Sequence, residues 1–465
     1  MKQPELTKEK LFGTDGIRGT PGVYPLTNGM LFKIGGGIAH YATSLKRNTS
    51  KTRAKRLKVV IGKDTRLSGK ELESILSDSI AGQGIDVLLA GIITTPGLSF
   101  LTKDLKADMG IMISASHNKA SDNGIKFFNS DGFKLSVEEE RHIEEIIFNT
   151  LMHDTSKDAH GHSGKVTKVK CGQLRYVKFL TTTLEGVSLK GTCIALDCAF
   201  GAASPFAKKL FQKLGAKVFS INDLPKGDNI NEGGAINPEG LKQLVLKRKA
   251  DIGIAVDGDG DRGILVDEKG KVLDGDFTMA IMAKHLLKKN KLPKNTVVTT
   301  VMANYGLRAF LAEIGANIHL TDVGDKYVLE ALLKNKLNLG GEQSGHIIFL
   351  EYLSTPDGLL TALQILKVMK DSRSSLSKLS QCMTKFPQIL VNVKVKEKLP
   401  FEKMPSVTEK LRLSNEQLKE QGRILLRYSG TENLARVMVE GMDKEIIHRI
   451  ANSIADEIRQ EIGIE

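Results

Sequence analysis

The sequence predicts an α/β protein with three related α/β domains, built on mixed, mostly parallel sheets, and a smaller C-terminal α+β domain. The chain has 465 residues, several times the length that one hydrophobic core usually serves. One pattern recurs along it: an apolar run rich in β-branched residues, a polar turn, an amphipathic helix, and a glycine before the next strand. This order is typical of βαβ units, which form parallel sheets covered by helices.

The repeated pattern occupies three well-separated segments, at residues 57–91, 191–223 and 295–322. Each segment ends its helix at a glycine and continues into a second apolar strand. Because similar units that recur at long intervals indicate related domains, each segment is assigned to its own α/β domain.

The last part of the chain has a different pattern. Residues 387–397 alternate in polarity with period two, two strands flank a turn within 422–441, and a final helix begins near Lys444. This pattern predicts a small α+β domain. The predicted domains are residues 1–160, 161–271, 272–385 and 386–465.

Composition indicates a compact protein without a membrane segment. Hydrophobic residues make up 41% of the chain and charged residues 26%, which excludes wholesale disorder and a fibrous architecture. The polar N-terminal stretch does not resemble a signal peptide, and no apolar run approaches the ~20 residues of a membrane helix, so we expect a cytoplasmic protein.

Four cysteines lack paired spacing and are expected to be reduced core residues: Cys171, Cys193, Cys198 and Cys382.

The formal net charge of +13 is compatible with nucleic acid, an acidic membrane or small anionic substrates. The densest basic stretch lies at residues 45–58 and contains no aromatic side chains that could stack on bases. A solvated loop between a helix and a strand is therefore favoured there over a nucleic-acid patch.

A candidate nucleophile follows an apolar strand predicted at residues 109–113. The loop after it contains Ser116 and His117, and Lys126 follows a few residues later. Ligands of α/β proteins bind at the carboxyl ends of parallel strands, so Ser116 could act as a nucleophile with His117 or Lys126 transferring protons. The alternative is a polar turn that caps the strand.

A candidate metal site follows another apolar strand. Asp257, Asp259 and Asp261 alternate with glycines, so their side chains point the same way and converge. Each close pair of like charges costs about 1 to 4 kcal/mol, depending on the surrounding dielectric. A hard divalent cation with oxygen ligands would remove this repulsion.

Three other interpretations of the aspartate run compete with a metal site. The glycines satisfy G-x-G-x-x-G, but aspartates in such a loop would repel a pyrophosphate and a strand follows it. The spacing also imitates a calcium loop with Glu268 at its twelfth position, yet Arg262 replaces the glycine at the sixth, and strands flank the loop. An acidic turn without a metal is the third interpretation.

Two further loops carry candidate binding residues. The first lies between glycines and could hydrogen-bond sugar hydroxyls through Glu342, Ser344 and His346. The second is a tight turn that could hold a phosphate, since its hydroxyls and N–H groups lie beside permanently charged arginines. Its residues are Arg427, Ser429, Gly430, Thr431 and Arg436. An ordinary polar turn and a hairpin with solvated arginines are the respective alternatives.

In order along the chain, FGTDGIRG, SASHN, DGDGDR, GEQSGH and RYSGTENLARVMVEG resemble the α-D-phosphohexomutase superfamily over nearly the whole chain. Within it, FGTDGIRG, DNGIKFF, VGDKYVLE and GEQSGH are most similar to the bacterial phosphoglucosamine mutases. The resemblance implies four domains around a central cleft, the first three with a related α/β fold.

The resemblance also implies roles for particular residues. Ser116 matches the family's phosphoserine, and an oxygen of its phosphate would join the three aspartates in binding Mg²⁺. Arg18 and Arg262 would contact that phosphate, and Lys126 matches the candidate general acid/base. Glu342 and Ser344 match the sugar-binding loop. The residues that match the loop for the nonreacting phosphate are Arg427, Ser429, Gly430, Thr431 and Arg436.

The implied reaction interconverts glucosamine 6-phosphate and glucosamine 1-phosphate through a phosphoserine and glucosamine 1,6-bisphosphate, for cell-wall precursor synthesis. The expected partner is a sugar phosphate, without nucleic acid or membrane, and a homodimer is a possible assembly. A phosphoglucomutase or phosphomannomutase is the alternative within the superfamily, and a basic nucleic-acid-binding protein is the alternative outside it.

Four residues depart from the family pattern and cast doubt on the sugar preference: Lys119, Lys326, Tyr428 and Asn433. Two of them, Tyr428 and Asn433, replace prolines and are expected to loosen the phosphate loop.

Overall fold

The structure is a computed structural model that describes residues 10–13, 15–49, 56–150, 163–429 and 432–464. The described chain divides into two compact units. The first contains the residues up to Val301 together with Asn317–Ser380, and the second contains Met302–Ala316 and the residues from Gln381 onward.

The first sheet of the first unit has six strands in the order β1-β5-β4-β2-β3-β6. The strands are β1 (Ile17–Gly19), β2 (Lys58–Lys63), β3 (Asp86–Ile92), β4 (Met109–Ile113), β5 (Asn123–Asn129) and β6 (Val166–Lys168). β2, β3, β4 and β6 are parallel, and β5 runs antiparallel to both β4 and β1. Its helices are α1 (Asn28–Thr49), α2 (Gly69–Gly82), α3 (Thr95–Asp104) and α4 (Val137–Thr150).

The core of this sheet is apolar because its central strands are buried on both faces. All five residues of β4 are buried, as is typical of strands covered by helices on both sides. The apolar faces of α1, α2 and α4 form one cluster with Val59, Ile61 and Ile111. The end of β4 is thereby held in fixed register with β2 and β5.

The second sheet has five strands in the order β11-β10-β9-β7-β8. The strands are β7 (Cys193–Asp197), β8 (Lys217–Ile221), β9 (Ile252–Val256), β10 (Gly263–Asp267) and β11 (Val272–Leu273). β7, β8 and β9 are parallel, whereas β10 is antiparallel to β9 and pairs Gly263 with Val256. The aspartate run is therefore the turn between these two strands. The helices are α5 (Gly172–Thr182), α6 (Ala207–Lys213) and α7 (Glu239–Arg248).

The third sheet has four strands in the order β13-β12-β14-β15. The strands are β12 (Thr296–Thr300), β13 (Asn317–Thr321), β14 (Leu339–Gly341) and β15 (Ile347–Phe349). β12 is parallel to β13 and β14, and β15 is antiparallel to β14. The helices of this region are α8 (Gly275–Lys288), α10 (Asp325–Asn335), α11 (Gly358–Ser372) and α12 (Leu376–Leu379).

The second unit contains an antiparallel sheet of three strands in the order β16-β18-β17. Its elements are α9 (Tyr305–Glu313), β16 (Gln388–Lys394), α13 (Pro405–Leu418), β17 (Gly422–Tyr428), β18 (Leu434–Gly441) and α14 (Lys444–Ile462). Asp443 caps α14 by accepting hydrogen bonds from the N–H groups of Glu445 and Ile446. The isoleucines of α14 are buried in one cluster with the valines of β18.

The predicted fold class is confirmed: each of the three repeated segments forms a parallel βαβ unit, and the C-terminal part is α+β with an antiparallel sheet. The strand expected at Met109–Ile113 and the start of the last helix agree with the structure. The domain boundaries stay predictions; β6, which lies beyond residue 160, pairs with the first sheet.

Two other sequence predictions can be compared with the structure. Cys198 is buried, but Cys171 is exposed and Cys193 and Cys382 are half-buried, so the expectation of four core cysteines is wrong for three of them. Part of the basic stretch at 45–58 lies outside the described residues. Within the described part, none of the helices is both long and apolar enough to cross a lipid bilayer.

We predict that Tyr176→Phe destabilises the first unit. The Tyr176 hydroxyl is buried and donates to Asp357, which caps α11 by accepting from the N–H groups of Leu359 and Leu360 at 2.9 and 3.0 Å. Burial raises the pKa of Asp357 to about 6, although the Tyr176 hydrogen bond opposes this rise. Loss of the donor should lower the free energy of unfolding by about 1 to 3 kcal/mol, measured as a shift in the urea midpoint.

Tyr352→Phe is the matched control. The Tyr352 hydroxyl donates to Glu185 at 3.3 Å, and the Glu185 side chain is 51% exposed, so the loss should stay within about 0.5 kcal/mol. Equal losses in both variants would contradict the assignment.

Candidate active site

Ser116 lies in the loop that follows β4, and its backbone has an unusual conformation. Its φ angle is +51°, and its side chain is buried. The Ser116 N–H donates to Ser114 Oγ at 2.9 Å, and the Ser114 hydroxyl donates to Asp64 at 2.6 Å. The Ser116 hydroxyl donates to Asp257 Oδ2 at 3.0 Å. The candidate nucleophile and the first aspartate of the run are therefore in direct contact.

The turn between β9 and β10 brings three carboxylates together. Oxygens of Asp257, Asp259 and Asp261 all lie within 4.8 Å of one another, and each of these residues is buried. Gly258 permits the approach of the two loops, because a Cβ there would lie 2.8 Å from the Ser116 carbonyl oxygen. The predicted convergence of the carboxylates is present in the structure.

Lys126, on β5, is the main cation of this cluster. Its Nζ lies 2.9 Å from Asp15, 3.0 Å from Asp259 and 3.3 Å from Asp261. Burial opposes the charged form, but the three carboxylates outweigh it and raise the pKa of Lys126 well above its usual range. The ammonium form of Lys126 is therefore favoured while the three carboxylates are ionised.

The carboxylates retain unsatisfied negative charge, which fits a bound metal ion. Burial, followed by the charges of Asp261 and Asp259, raises the pKa of Asp257 to about 7. Asp259 Oδ1 is buried without a hydrogen-bond partner among the described residues. An oxygen-only donor set of this kind suits a hard divalent cation, which would bind the free oxygen and favour ionised Asp257.

Arg18, His117 and Arg262 surround the serine loop. Arg18 donates to Asn118 at 3.0 Å, yet Arg18 Nε and His117 Nδ1 are buried without partners in the described part of the chain. Burial and the two arginines lower the pKa of His117 to about 4, so its ring is neutral near pH 7. Arg262 Nε lies 3.8 Å from Asp257. Free donors and positive charge at this position suit a phosphate on Ser116.

The loop after β14 also reaches the aspartate cluster. His346 contacts Glu342 through Nδ1 at 2.8 Å and Asp261 through Nε2 at 3.0 Å. Burial would lower the pKa of His346, but Asp261 and Glu342 raise it to about 10. Arg262 Nε also lies 3.1 Å from His346 Nε2. Ser344, predicted to bind sugar, is exposed. The structure therefore links His346 directly to the predicted metal ligand Asp261.

The predicted phosphate loop lies in the second unit. Arg427 and Arg436 are directly opposite each other on β17 and β18, and Arg436 donates to Ser429 Oγ at 3.4 Å. Burial and the charge of Arg436 lower the pKa of Arg427, and Arg436 Nε has no partner within the described chain. Two opposed like charges favour an anion between them. Gly430 and Thr431 lie outside the described residues.

Tyr428, which departs from the family pattern, is held by its own contacts. Its hydroxyl donates to the Leu399 carbonyl at 2.5 Å, and its ring stacks on Phe401 with 4.4 Å between centroids. These contacts fix the strand end beside Ser429 without a proline.

The sequence reasoning missed four residues that shape this site. Thr95, at the start of α3, donates its hydroxyl to Asp259 at 2.6 Å, and Asp15 contacts Lys126. Arg66 and Asn231 hydrogen-bond the backbone of the serine loop. Arg66 follows β2, so its position at a strand end was a signal that could have been used; Asn231 lies in a stretch with no recognisable pattern.

Four family models match the chain. Their descriptions are phosphoglucomutase/phosphomannomutase, alpha/beta/alpha domain I at residues 9–153, domain II at 174–270, domain III at 274–386, and the C-terminal domain at 390–457. Together they span most of the chain in the order that the fold shows.

Two curated relatives are similar over nearly the full length. The chain is 47% identical over 457 residues to a phosphoglucosamine mutase of Geobacter metallireducens, covering 98% of this chain and 99% of that protein. It is 44% identical over 467 residues to a phosphoglucosamine mutase of Chlamydia abortus, covering 99% of both.

Solved structures share the fold. A phosphoglucomutase/phosphomannomutase family protein from Burkholderia thailandensis matches with a TM-score of 0.78 at 22% identity over 98% of this chain and 99% of that one. N-acetylphosphoglucosamine mutase from Aspergillus fumigatus, crystallised with GlcNAc-6P and magnesium, matches with a TM-score of 0.63 at 18% identity over 97% and 96% of the two chains. At these identities the likeness concerns the fold alone.

We predict that Asp257→Asn removes the stabilisation by a divalent cation. Asp257 offers a carboxylate oxygen within the cluster, and an amide is a weaker ligand without charge. For the unaltered protein, Mg²⁺ at 100 times its dissociation constant should stabilise the fold by about 2.7 kcal/mol, seen as a rise in the thermal midpoint. Asp257→Asn should show no such rise.

Asp267→Asn is the control, because Asp267 is equally buried on β10 but caps a turn through the N–H groups of Lys269 and Lys271. It should retain the response to Mg²⁺. A full response in Asp257→Asn would exclude Asp257 as a ligand.

Proposed function

The chain belongs to the phosphoglucomutase/phosphomannomutase family, and we propose that it is a phosphoglucosamine mutase that interconverts glucosamine 6-phosphate and glucosamine 1-phosphate. The observation that carries this proposal is the 3.0 Å contact between Ser116 Oγ and the buried aspartate cluster. The near full-length relatives of that name support glucosamine phosphate as the substrate.

In the proposed reaction, phosphorylated Ser116 is the donor. The bond from phosphorus to Ser116 Oγ breaks as a bond forms to O1 of glucosamine 6-phosphate. The O1 hydroxyl loses its proton, and Ser116 Oγ gains one, so that the hydroxyl of Ser116 is restored. The product is glucosamine 1,6-bisphosphate, which reorients. The bond from phosphorus to O6 then breaks as a bond forms to Ser116 Oγ, the Ser116 hydroxyl loses its proton and O6 gains one. Glucosamine 1-phosphate leaves, and the enzyme is phosphorylated again.

The chain's own residues supply positioning and charge for both transfers. Arg18, whose Nε is buried without a partner among the described residues, would bind the phosphate on Ser116 together with Arg262. Lys126, held as an ammonium ion, would donate a proton to the oxygen that leaves phosphorus. Mg²⁺ bound by Asp257, Asp259, Asp261 and a phosphoserine oxygen would supply charge neutralisation.

The remaining loops are proposed to bind the substrate away from phosphorus. Glu342, Ser344 and His346 would hold the sugar hydroxyls, and His346 would couple that loop to Asp261. The phosphate loop of the second unit would bind the phosphate that is not transferred; its residues are Arg427, Ser429, Gly430, Thr431 and Arg436.

The cellular setting is part of the same proposal. A cytoplasmic enzyme of this kind would feed UDP-N-acetylglucosamine and cell-wall synthesis, with glucosamine 1,6-bisphosphate as activator. The excess of positive charge would serve anionic sugar phosphates rather than nucleic acid.

We predict that Ser116→Ala abolishes turnover. Without the hydroxyl no phosphoserine can form, so kcat for glucosamine 6-phosphate should fall by at least about 1000-fold. Intact mass after incubation with glucosamine 1,6-bisphosphate should rise by one phosphoryl group in the unaltered protein only. Ser121→Ala, at an exposed serine near the same loop, should behave as the unaltered protein. Turnover or a mass gain in Ser116→Ala would exclude this nucleophile.

We also predict a preference among hexose phosphates. Glucosamine 6-phosphate carries a 2-ammonium group, whereas glucose and mannose 6-phosphates carry a neutral hydroxyl. A hydrogen bond to a charged group is worth about 1.5 to 3 kcal/mol, so kcat/KM should favour glucosamine 6-phosphate by roughly 10- to 100-fold. Equal or inverted values would assign the chain to phosphoglucomutase or phosphomannomutase activity instead.

A further inference from the structure

We propose that Asn231 and Arg66 are positioning residues that hold Ser116 in its left-handed backbone conformation and fix its distance from the aspartate turn. The inference rests on the proposed function, because it assigns these two residues to the transfer step at Ser116. Neither side chain contacts Ser116 Oγ or a carboxylate of the aspartate run in the described contacts. They act through the backbone of the loop.

The conformation of Ser116 requires external support. Residues with a side chain rarely adopt a φ of +51°, and such a backbone persists only where its surroundings determine it. The direction of the hydroxyl depends on this φ angle. A loop that relaxed to an ordinary conformation would turn Ser116 Oγ away from Asp257.

Arg66 fixes the loop from the first sheet. Its side chain is fully buried and paired with Asp64 at 2.9 Å. One guanidinium nitrogen donates to the carbonyls of Ser116 and Asn118 at 2.9 and 3.0 Å. The other donates to the carbonyls of Lys119 and Asp122. A single rigid fork therefore binds four carbonyl oxygens of the loop.

Asn231 joins this loop to the aspartate turn. Its Nδ2 donates to the same two carbonyls, Ser116 at 2.8 Å and Asn118 at 3.0 Å. Its Oδ1 accepts from the Gly258 N–H at 2.8 Å. Each of the two carbonyls thus accepts two hydrogen bonds, which uses both of its lone pairs. One amide side chain sets the spacing between Ser116 and the turn that carries Asp257.

This arrangement predicts a specific kinetic signature. A displacement of about 1 Å at the reacting atoms can cost 100-fold in rate. Because Asn231 contacts backbone atoms of the two loops, its loss should lower kcat and leave KM for glucosamine 6-phosphate nearly unchanged.

The test compares three variants of the full chain. Asn231→Ala removes all three hydrogen bonds. Asn231→Asp has the same shape and keeps an acceptor for Gly258, but it turns a carboxylate oxygen towards two carbonyls. Asn222→Ala is the control, since Asn222 Nδ2 donates to Asp197 at 3.0 and 3.1 Å, and the Asn222 side chain has no hydrogen bond to either loop among the described residues.

Both Asn231 variants should lose about 100-fold in kcat with KM changed by less than about threefold. Their phosphorylation by glucosamine 1,6-bisphosphate, followed by intact mass, should slow to a similar extent. Hydrogen–deuterium exchange of residues 114–122 should accelerate in both. Asn222→Ala should match the unaltered protein in all three measurements.

The other possible results also decide whether Asn231 is a positioning residue. If Asn231→Ala does not fold, the isosteric Asn231→Asp carries the test alone. Exchange of 114–122 that stays at the control rate, or a kcat equal to that of Asn222→Ala, overturns the positioning role. A change in KM alone would also overturn it, because it would mean a direct role in substrate binding. If the unaltered protein turns over none of the hexose phosphates, the proposed function fails, and the exchange measurement still decides the structural claim.

Discussion

The site depends on one electrostatic constraint: three buried carboxylates in a single turn between antiparallel strands. At an effective dielectric of 20, each close pair of charges would cost about 4 kcal/mol, and all three aspartates are buried. The surrounding residues offset the repulsion. Lys126 approaches two of the carboxylates, His346 contacts Asp261, and Thr95 donates to Asp259.

These compensating groups come from different sheets of the first unit, so the aspartate turn connects those sheets. Lys126 lies on β5 of the first sheet, and His346 precedes β15 of the third. The turn itself belongs to the second. A buried charge must find its partner wherever the fold can supply one, so the acidic turn ties the three sheets together around Ser116.

Local sequence patterns were sufficient to predict part of this arrangement. The βαβ units follow from hydrophobic periodicity, and the placement of Ser116 and Asp257 follows from the rule that loops at strand ends carry ligands. These patterns did not predict Asn231, whose partners lie at Ser116 and Gly258, far away in the chain. The prediction for Cys171 was wrong, because exposure at a helix start depends on tertiary packing that four scattered cysteines do not reveal. The contact between His346 and Asp261 also joins residues far apart in the chain, and the sequence did not predict it.

Each unit places side chains of like charge next to one another: carboxylates in the first unit and arginines in the second. In the first, carboxylates converge beyond what Lys126 and His346 neutralise, leaving Asp259 Oδ1 without a partner among the described residues. In the second, Arg427 and Arg436 oppose each other across two strands, which lowers the pKa of Arg427. Like charges placed together weaken the fold in the absence of ligand, and a ligand of opposite charge removes the repulsion as it binds. A cation at the aspartate turn and a phosphate at the arginine pair would each gain binding free energy from this relief. If the chain bound a metal ion and a sugar phosphate in this way, part of the affinity would come from relief of this repulsion, and charge would be selected independently of contacts with the sugar ring.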